Sequence, residues 1–285
     1  MVLELKNIEK SFGEKRVLNG ISLTAAGGKA FGLLGRNGAG KTTSIRIIMN
    51  VFPADSGQVL FDGKPIDYEK TTFGYLPEER GLYPKKKIID QLVYFAELKG
   101  MKHSMAVSAV YHWLDRLGMT EYRDRRLDTL SKGNQQKIQL ITAIAHDPDI
   151  VILDEPFSGL DPVNAMLLKD VVKDTIARGK IVVFSSHQMS YIEEFCDSIA
   201  IINGGEVVLS GDLNKIKRSY PRNRICVWSL QNSSIADEYK GRCSQGENGE
   251  LIIALPSALG SASEKKAVMQ QLTEKYDIDQ IKVYE

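Results

Sequence analysis

From Val2 to about Asp62 the apolar residues come in short clusters, among them Ile21 to Thr24, Ala30 to Leu34 and Val59 to Phe61, separated by Gly, Asn and Asp turns. This pattern predicts strands, interrupted by one helix that begins at Thr42. From Ile88 to about His146 the period changes. Leu92, Phe95, Ala96 and Lys99, then Val107, Val110, Leu114 and Leu117, recur at helical spacing, so a helix-rich insertion is expected. Ile150 to Leu153 and Ile181 to Phe184 are unbroken apolar runs, as parallel strands buried on both faces require, with a helix fitting between them. The sum is a doubly wound α/β core with an N-terminal β subdomain and a helical insertion.

Ser219, Tyr220, Pro221, Arg222 and Asn223 break the pattern, and a domain boundary is placed there. The expected division is 1–218, with its helical part at about 88–146, and 223–285. In the second part Arg224 to Leu230 and Glu250 to Leu255 read as strands, Ser263 to Tyr276 as an amphipathic helix and Asp279 to Tyr284 as a last strand, giving a small α+β domain. A length of 285 residues suits one large core with a smaller appendage.

Composition narrows the function. Lys plus Arg number 37 against 36 Asp plus Glu, so no nucleic-acid partner is expected. Cys196, Cys226 and Cys243 are odd in number and lack C-x-x-C spacing, which fits reduced thiols rather than zinc. No stretch approaches the roughly 18 apolar residues of a spanning helix, and no basic segment followed by an apolar one opens the chain. The expectation is a chain neither secreted nor membrane-spanning by itself.

Gly35, Arg36, Asn37, Gly38, Ala39, Gly40, Lys41 and Thr42 form a complete G-x-x-x-x-G-K-[ST] loop between a predicted strand and a predicted helix. Glycines let successive backbone N–H groups converge on one point, and the following helix directs its positive end there, so a nucleoside triphosphate is the expected ligand. Lys41 supplies a mobile charge at the β and γ phosphates, Thr42 a hydroxyl for Mg²⁺, and Thr43 a further phosphate contact. Downstream, the buried run Ile150 to Leu153 delivers Asp154 and Glu155 at its C-terminal end, where open α/β sheets bind ligands. Asp154 is expected to hold the metal through water and Glu155 to activate a water against the γ phosphate.

With these motifs the sequence resembles the ATP-binding subunit of ABC transporters over roughly Met1 to Ile216. Leu130, Ser131, Lys132, Gly133, Asn134, Gln135 and Gln136 are similar to the family signature, normally Leu-Ser-Gly-Gly-Gln, with Lys132 and Asn134 replacing the usual Gly and Gln. The resemblance implies that Ser131, Lys132, Gly133, Asn134 and Gln135 act on a nucleotide held by a second subunit. Read alone, Ser131 is equally a helix cap. The resemblance further implies a D-loop at Ser158, Gly159, Leu160 and Asp161, a switch histidine at His187 that holds the attacking water, and adenine stacking on Phe12 with Val17 beside it. His103, His112 and His146 have no such context. Glu78 stands where the family has a glutamine and is a third candidate metal ligand with Thr42 and Asp154.

The resemblance implies an ATPase with ATP and Mg²⁺ as cofactors, which dimerises around two ATP molecules as a homodimer or heterodimer. It would drive a separate multi-span permease from the cytoplasmic face of the cell membrane. The segment from about Asn223 resembles the small extension of sodium-exporter and drug-efflux ATPases, so export is expected rather than import. The alternative is a non-transport ABC-type ATPase switch acting on ribosomes or nucleic acid, but relatives of that kind carry two cassettes or a long coiled coil, and this chain has one P-loop and no sustained heptads. A P-loop kinase or GTPase would leave the signature-like segment unexplained.

Overall fold

Alternation along the chain builds the first strands. In β1 (Val2–Phe12) Leu3, Leu5 and Ile8 are buried, and in β2 (Lys15–Ala26) Leu18, Ile21, Leu23 and Ala25 are. The two pair antiparallel from Val2 opposite Ala26 to Phe12 opposite Lys15, with an irregularity between Leu5 and Ile8 where Asn7 takes a φ of +51°. The computed structural model describes residues 1–285 except Arg80, 158–159, 187–188, 221–222, 247–248, 257–260 and Glu285. After β3 (Lys29–Leu34) and α1 (Lys41–Ile48), β4 (Ser56–Phe61) and β5 (Lys64–Pro65) extend the first sheet to the order β2-β1-β4-β5. Ile45 and Ile48 of α1 join Leu5 and Ile8 in one core. Burial of this kind is the main force that seats α1 and fixes the loop before it.

The second sheet contains β3 and, next along the chain, β6 (Phe73–Leu76) at its edge. The helical insertion follows as α2 (Ile88–Leu98), α3 (His103–Arg116) and α4 (Lys132–Ile144). The chain then runs through β7 (Ile150–Asp154), α5 (Pro162–Ala177), β8 (Ile181–Ser186), α6 (Met189–Phe195), β9 (Ser198–Asn203) and β10 (Glu206–Asp212). The order is β10-β9-β3-β8-β7-β6, all parallel except β10. Every residue of β7 and β8 is buried, the environment that their unbroken apolar runs require. The C-terminal ends of β3, β6, β7 and β8 therefore open on one edge, and the loops that leave them carry the site.

The chain forms two compact units, Met1–Leu213 and Asn214–Glu285. The division falls at α7 (Leu213–Ser219), ahead of the polar break at Ser219 to Asn223. The second unit contains β11 (Arg224–Trp228), α8 (Asn232–Glu238), β12 (Cys243–Gln245), β13 (Leu251–Ala254), α9 (Ala262–Lys275) and β14 (Gln280–Val283). Its sheet has the order β12-β13-β11-β14, antiparallel throughout. Ile225, Val227, Leu251 and Ile253 of the sheet pack with Ile235 of α8 and Leu272 of α9. The pattern of the sequence does not announce α8 or β12. The three cysteines are free thiols.

Candidate functional site

The loop between β3 and α1 is shaped by what its glycines permit. Gly40 caps α1 with a φ of +117°, and a Cβ there would meet Leu18 Cδ2 at 2.6 Å. A Cβ at Gly35 would lie 2.5 Å from the Ile202 carbonyl oxygen. Only glycine combines that backbone with that closeness. Lys41 is buried, and its Nζ donates to the carbonyl of Gly35 at 2.6 Å and to that of Arg36 at 3.4 Å, so the ammonium is held within its own loop.

A cavity of about 360 Å³ lies over this loop, lined by Arg36, Asn37, Gly38, Gly40, Lys41, Thr42 and Thr43 together with Lys15, Val17, Glu78, Asp154 and Glu155. The fold thus gathers the loop, the pair of acids after β7 and the acid after β6 into one space. Gly35 and Ala39 shape the loop from behind rather than lining the cavity. Phe12 does not line it either. It sits half-exposed at the hairpin end, opposite Lys15, with its ring edge-on to Phe52 at 5.4 Å between centroids and the Lys10 ammonium 5.6 Å from its own centroid.

Asp154 and Glu155 are both buried. Burial holds the Asp154 carboxyl above the usual range, the charges of Glu78 and Glu155 add to the shift, and the Ser185 hydroxyl and Lys41 oppose it. Beside it the Tyr75 phenol is pushed up to about 12, first by burial and then by Asp154. Glu155 adopts a φ of +48°, a left-handed backbone that costs a residue with a side chain on the order of 1–3 kcal/mol. Its carboxylate accepts a hydrogen bond from Ser186 Oγ at 3.0 Å, and its N–H donates to the Ser185 carbonyl at 2.8 Å. The motifs of the sequence do not single out Ser185, Ser186, Lys15 or Tyr75. Ser185 reaches the site through sheet register, lying beside Asp154 across β7 and β8.

The signature-like segment lies apart from this cavity. Ser131 caps α4, its Oγ accepting from the Asn134 N–H at 3.3 Å, and Gln135 Nε2 donates to the Leu130 carbonyl at 2.9 Å. Lys132 is exposed and Gly133 buried, with a Cβ at Gly133 falling 2.8 Å from Asn164 Nδ2. Asp161 caps α5, accepting from the Asn164 N–H at 2.9 Å, and Leu160 donates its N–H to the Phe157 carbonyl at 3.3 Å. Ser158, Gly159 and His187 lie outside the described residues.

A second, larger cavity of about 1060 Å³ shares Thr42, Glu78 and Asp154 with the first and extends past Arg46 and Tyr68 to Leu98 and His146. Among the described residues, no group of three or more His, Cys, Asp or Glu is placed to hold a metal unaided. Likewise no helix among them is long and apolar enough to cross a membrane.

Residues 18–158 match the family model described as ABC transporter. The uncharacterized ABC transporter ATP-binding protein YhaQ of Bacillus subtilis (strain 168) is 44% identical over 241 residues, covering 84% of this chain and 81% of that protein. The Nod factor export ATP-binding protein I of Burkholderia lata is 32% identical over 213 residues, covering 73% of this chain and 70% of its own length. A solved ATP-binding subunit of an ABC transporter superposes with a TM-score of 0.70 at 27% identity, covering 76% of this chain and 92% of that one. A glycine-shaped loop between β3 and α1, two carboxylates delivered beside it by β7 and relatives that extend over most of the chain all agree: this chain belongs to the ABC transporter family as an ATP-binding subunit, an ATPase.

Proposed function

We propose that the chain energises an exporter, pairing with a second ATPase subunit around two ATP molecules and driving a separate multi-span permease at the cytoplasmic face of the membrane. The observation that carries this reading is the separation of parts. Lys41, Thr42, Asp154 and Glu155 line one cavity, while the capped N-terminus of α4 with Ser131 and Gly133 lines no part of it. A signature that serves a nucleotide must then serve the one held by another subunit. Export is supported by the similarity to a Nod factor export protein. Permease contact is assigned to the larger cavity, because an occupant there would touch Thr42, Glu78 and Asp154, which also face the nucleotide.

In the proposed site Phe12 stacks on adenine, the Gly35 to Thr43 loop cradles the phosphates, and Lys41 exchanges its carbonyl partners for phosphate oxygens. Thr42, Asp154 and Glu78 offer only hard oxygen donors, a set that fits Mg²⁺ shared with phosphate and water. Bound there, Mg²⁺ would neutralise phosphate charge. Glu155 takes a proton from the attacking water and His187 holds that water in line. Lys41→Ala is expected to weaken ATP binding about 10- to 100-fold, matching the roughly 1.5–3 kcal/mol of a hydrogen bond to a charged group. An equilibrium titration with near-native affinity would remove Lys41 from the cradle.

The transporter reading is tested by purifying the tagged chain from detergent-solubilised membranes of its native host and identifying what is retained by mass spectrometry. Recovery of a multi-span membrane protein is the expected outcome. Reproducible recovery of ribosomes or nucleic-acid proteins without a membrane partner would replace this reading with the soluble switch.

A further inference from the structure

α4 carries two buried glutamines, Gln136 and Gln139, which the chemistry proposed above does not use. Three residues apart, they share one helix face. Nearby, α4 lies directly on β6 at Gly74, where a Cβ would collide with the Ala143 carbonyl oxygen. From this close seat each amide reaches a loop leaving a different strand. Gln136 Nε2 donates to the Pro156 carbonyl at 3.3 Å, one residue beyond Glu155. Gln139 Nε2 donates to the carbonyls of Pro77 at 3.3 Å and Glu79 at 3.1 Å, on either side of Glu78. β6 and β7 are parallel neighbours with Leu76 opposite Leu153, so the two loops leave the sheet side by side.

We infer that Gln136 and Gln139 are positioning residues for ATP hydrolysis: they hold the backbone that carries Glu155 and Glu78, and tie both to the helix whose N-terminus displays Ser131. The inference rests on the roles proposed for Glu155 and Glu78. Filling space does not require these amides, since a methionine would do the same without a donor. What they add is direction. Glu155 sits at a left-handed φ that its surroundings must enforce, and a restraint on the next residue's carbonyl is one such enforcement. Glu78, by contrast, is exposed and ends no strand, so the paired hold on Pro77 and Glu79 is what fixes its backbone. Because both holds come from one helix, a force on the N-terminus of α4 reaches both acids of the same chain.

The test is a pair of double-mutant cycles on the full chain, read as single-turnover ATP hydrolysis. Gln136→Met is expected to slow hydrolysis about tenfold alone, within the range that small misplacements of reacting groups produce, and less than about twofold once Glu155→Gln is present. Gln139→Met should behave in the same way against Glu78→Ala. ATP affinity should stay within about threefold of native in both single variants, because neither glutamine lines the nucleotide cavity. Should either methionine variant fail a thermal melt, Gln→Asn at the same position, one methylene short of the carbonyl, carries the same expectation. Equal losses in both backgrounds, or native rates in the single variants, overturn the inference. Native turnover in Glu155→Gln alone would instead remove the proposed base, and with it the target of Gln136.

Discussion

Glu155→Gln is expected to cut ATP turnover by about 10²- to 10⁴-fold, the range for a lost general base, while leaving ATP affinity near native. The separation of the two effects follows from where the residue sits. Lys41, Thr42 and the loop glycines, to which the phosphate contacts are assigned in the proposed site, are untouched by the change. The amide has the shape of the carboxylate, and its oxygen can still accept from Ser186 Oγ, so the left-handed turn at Glu155 need not move. What disappears is the capacity to take a proton from water. Binding without turnover should then trap two subunits around ATP, visible as a doubling of mass by light scattering when ATP is added. Phosphate release measured beside an ATP titration decides the matter. Turnover within about twofold of native would transfer the role of base to another group.

The parts of this site that were legible from the chain are those whose chemistry is local. Gly35 to Thr42 is a contiguous run whose glycine spacing has few other uses, and the strands on which it and Asp154 depend are unbroken apolar runs that only burial on both faces explains. Long-range restraints were not legible. Ser186 meets Glu155 across 31 residues, and Gln139 meets Glu79 across 60, through strand neighbours whose order no short window contains. The N-terminal strands are longer than their apolar clusters suggest, because half of each hairpin strand faces outward and is polar. In the second unit α8 buries Ile235 alone, too little for a helical period, and β12 is three residues long. The polar break at Ser219 to Asn223 marks the end of a helix, whereas the compact units divide at that helix's start, because contacts rather than composition set the division.

Asp154→Asn is expected to act in opposite directions on function and stability. Asp154 lies in a buried position with Glu78 and Glu155 around the same cavity, so its charge is carried at a cost in the nucleotide-free chain. The sign follows from linkage. Its folded pKa lies above the unfolded value, so the folded state retains the proton more readily than the unfolded one. The stability linked to this group is greatest below the unfolded pKa and falls as pH rises through the folded pKa. Above the folded pKa the native chain therefore carries this penalty in full, and asparagine removes it while keeping an oxygen acceptor of the same reach. The nucleotide-free variant should melt at least about 2 °C higher at pH 7, the shift that roughly 1 kcal/mol produces in a domain of 150–250 residues, and the gain should shrink as pH is lowered. The same substitution removes a charge proposed to face Mg²⁺, so the enhancement of ATP binding by Mg²⁺ and most of the turnover should be lost together. A lower melting temperature at pH 7, or a gain that grows as pH falls, would mean that Asp154 is held by favourable partners. Its charge would then serve folding, and the cost of keeping an anion ready for metal would have to be sought in Glu78 instead.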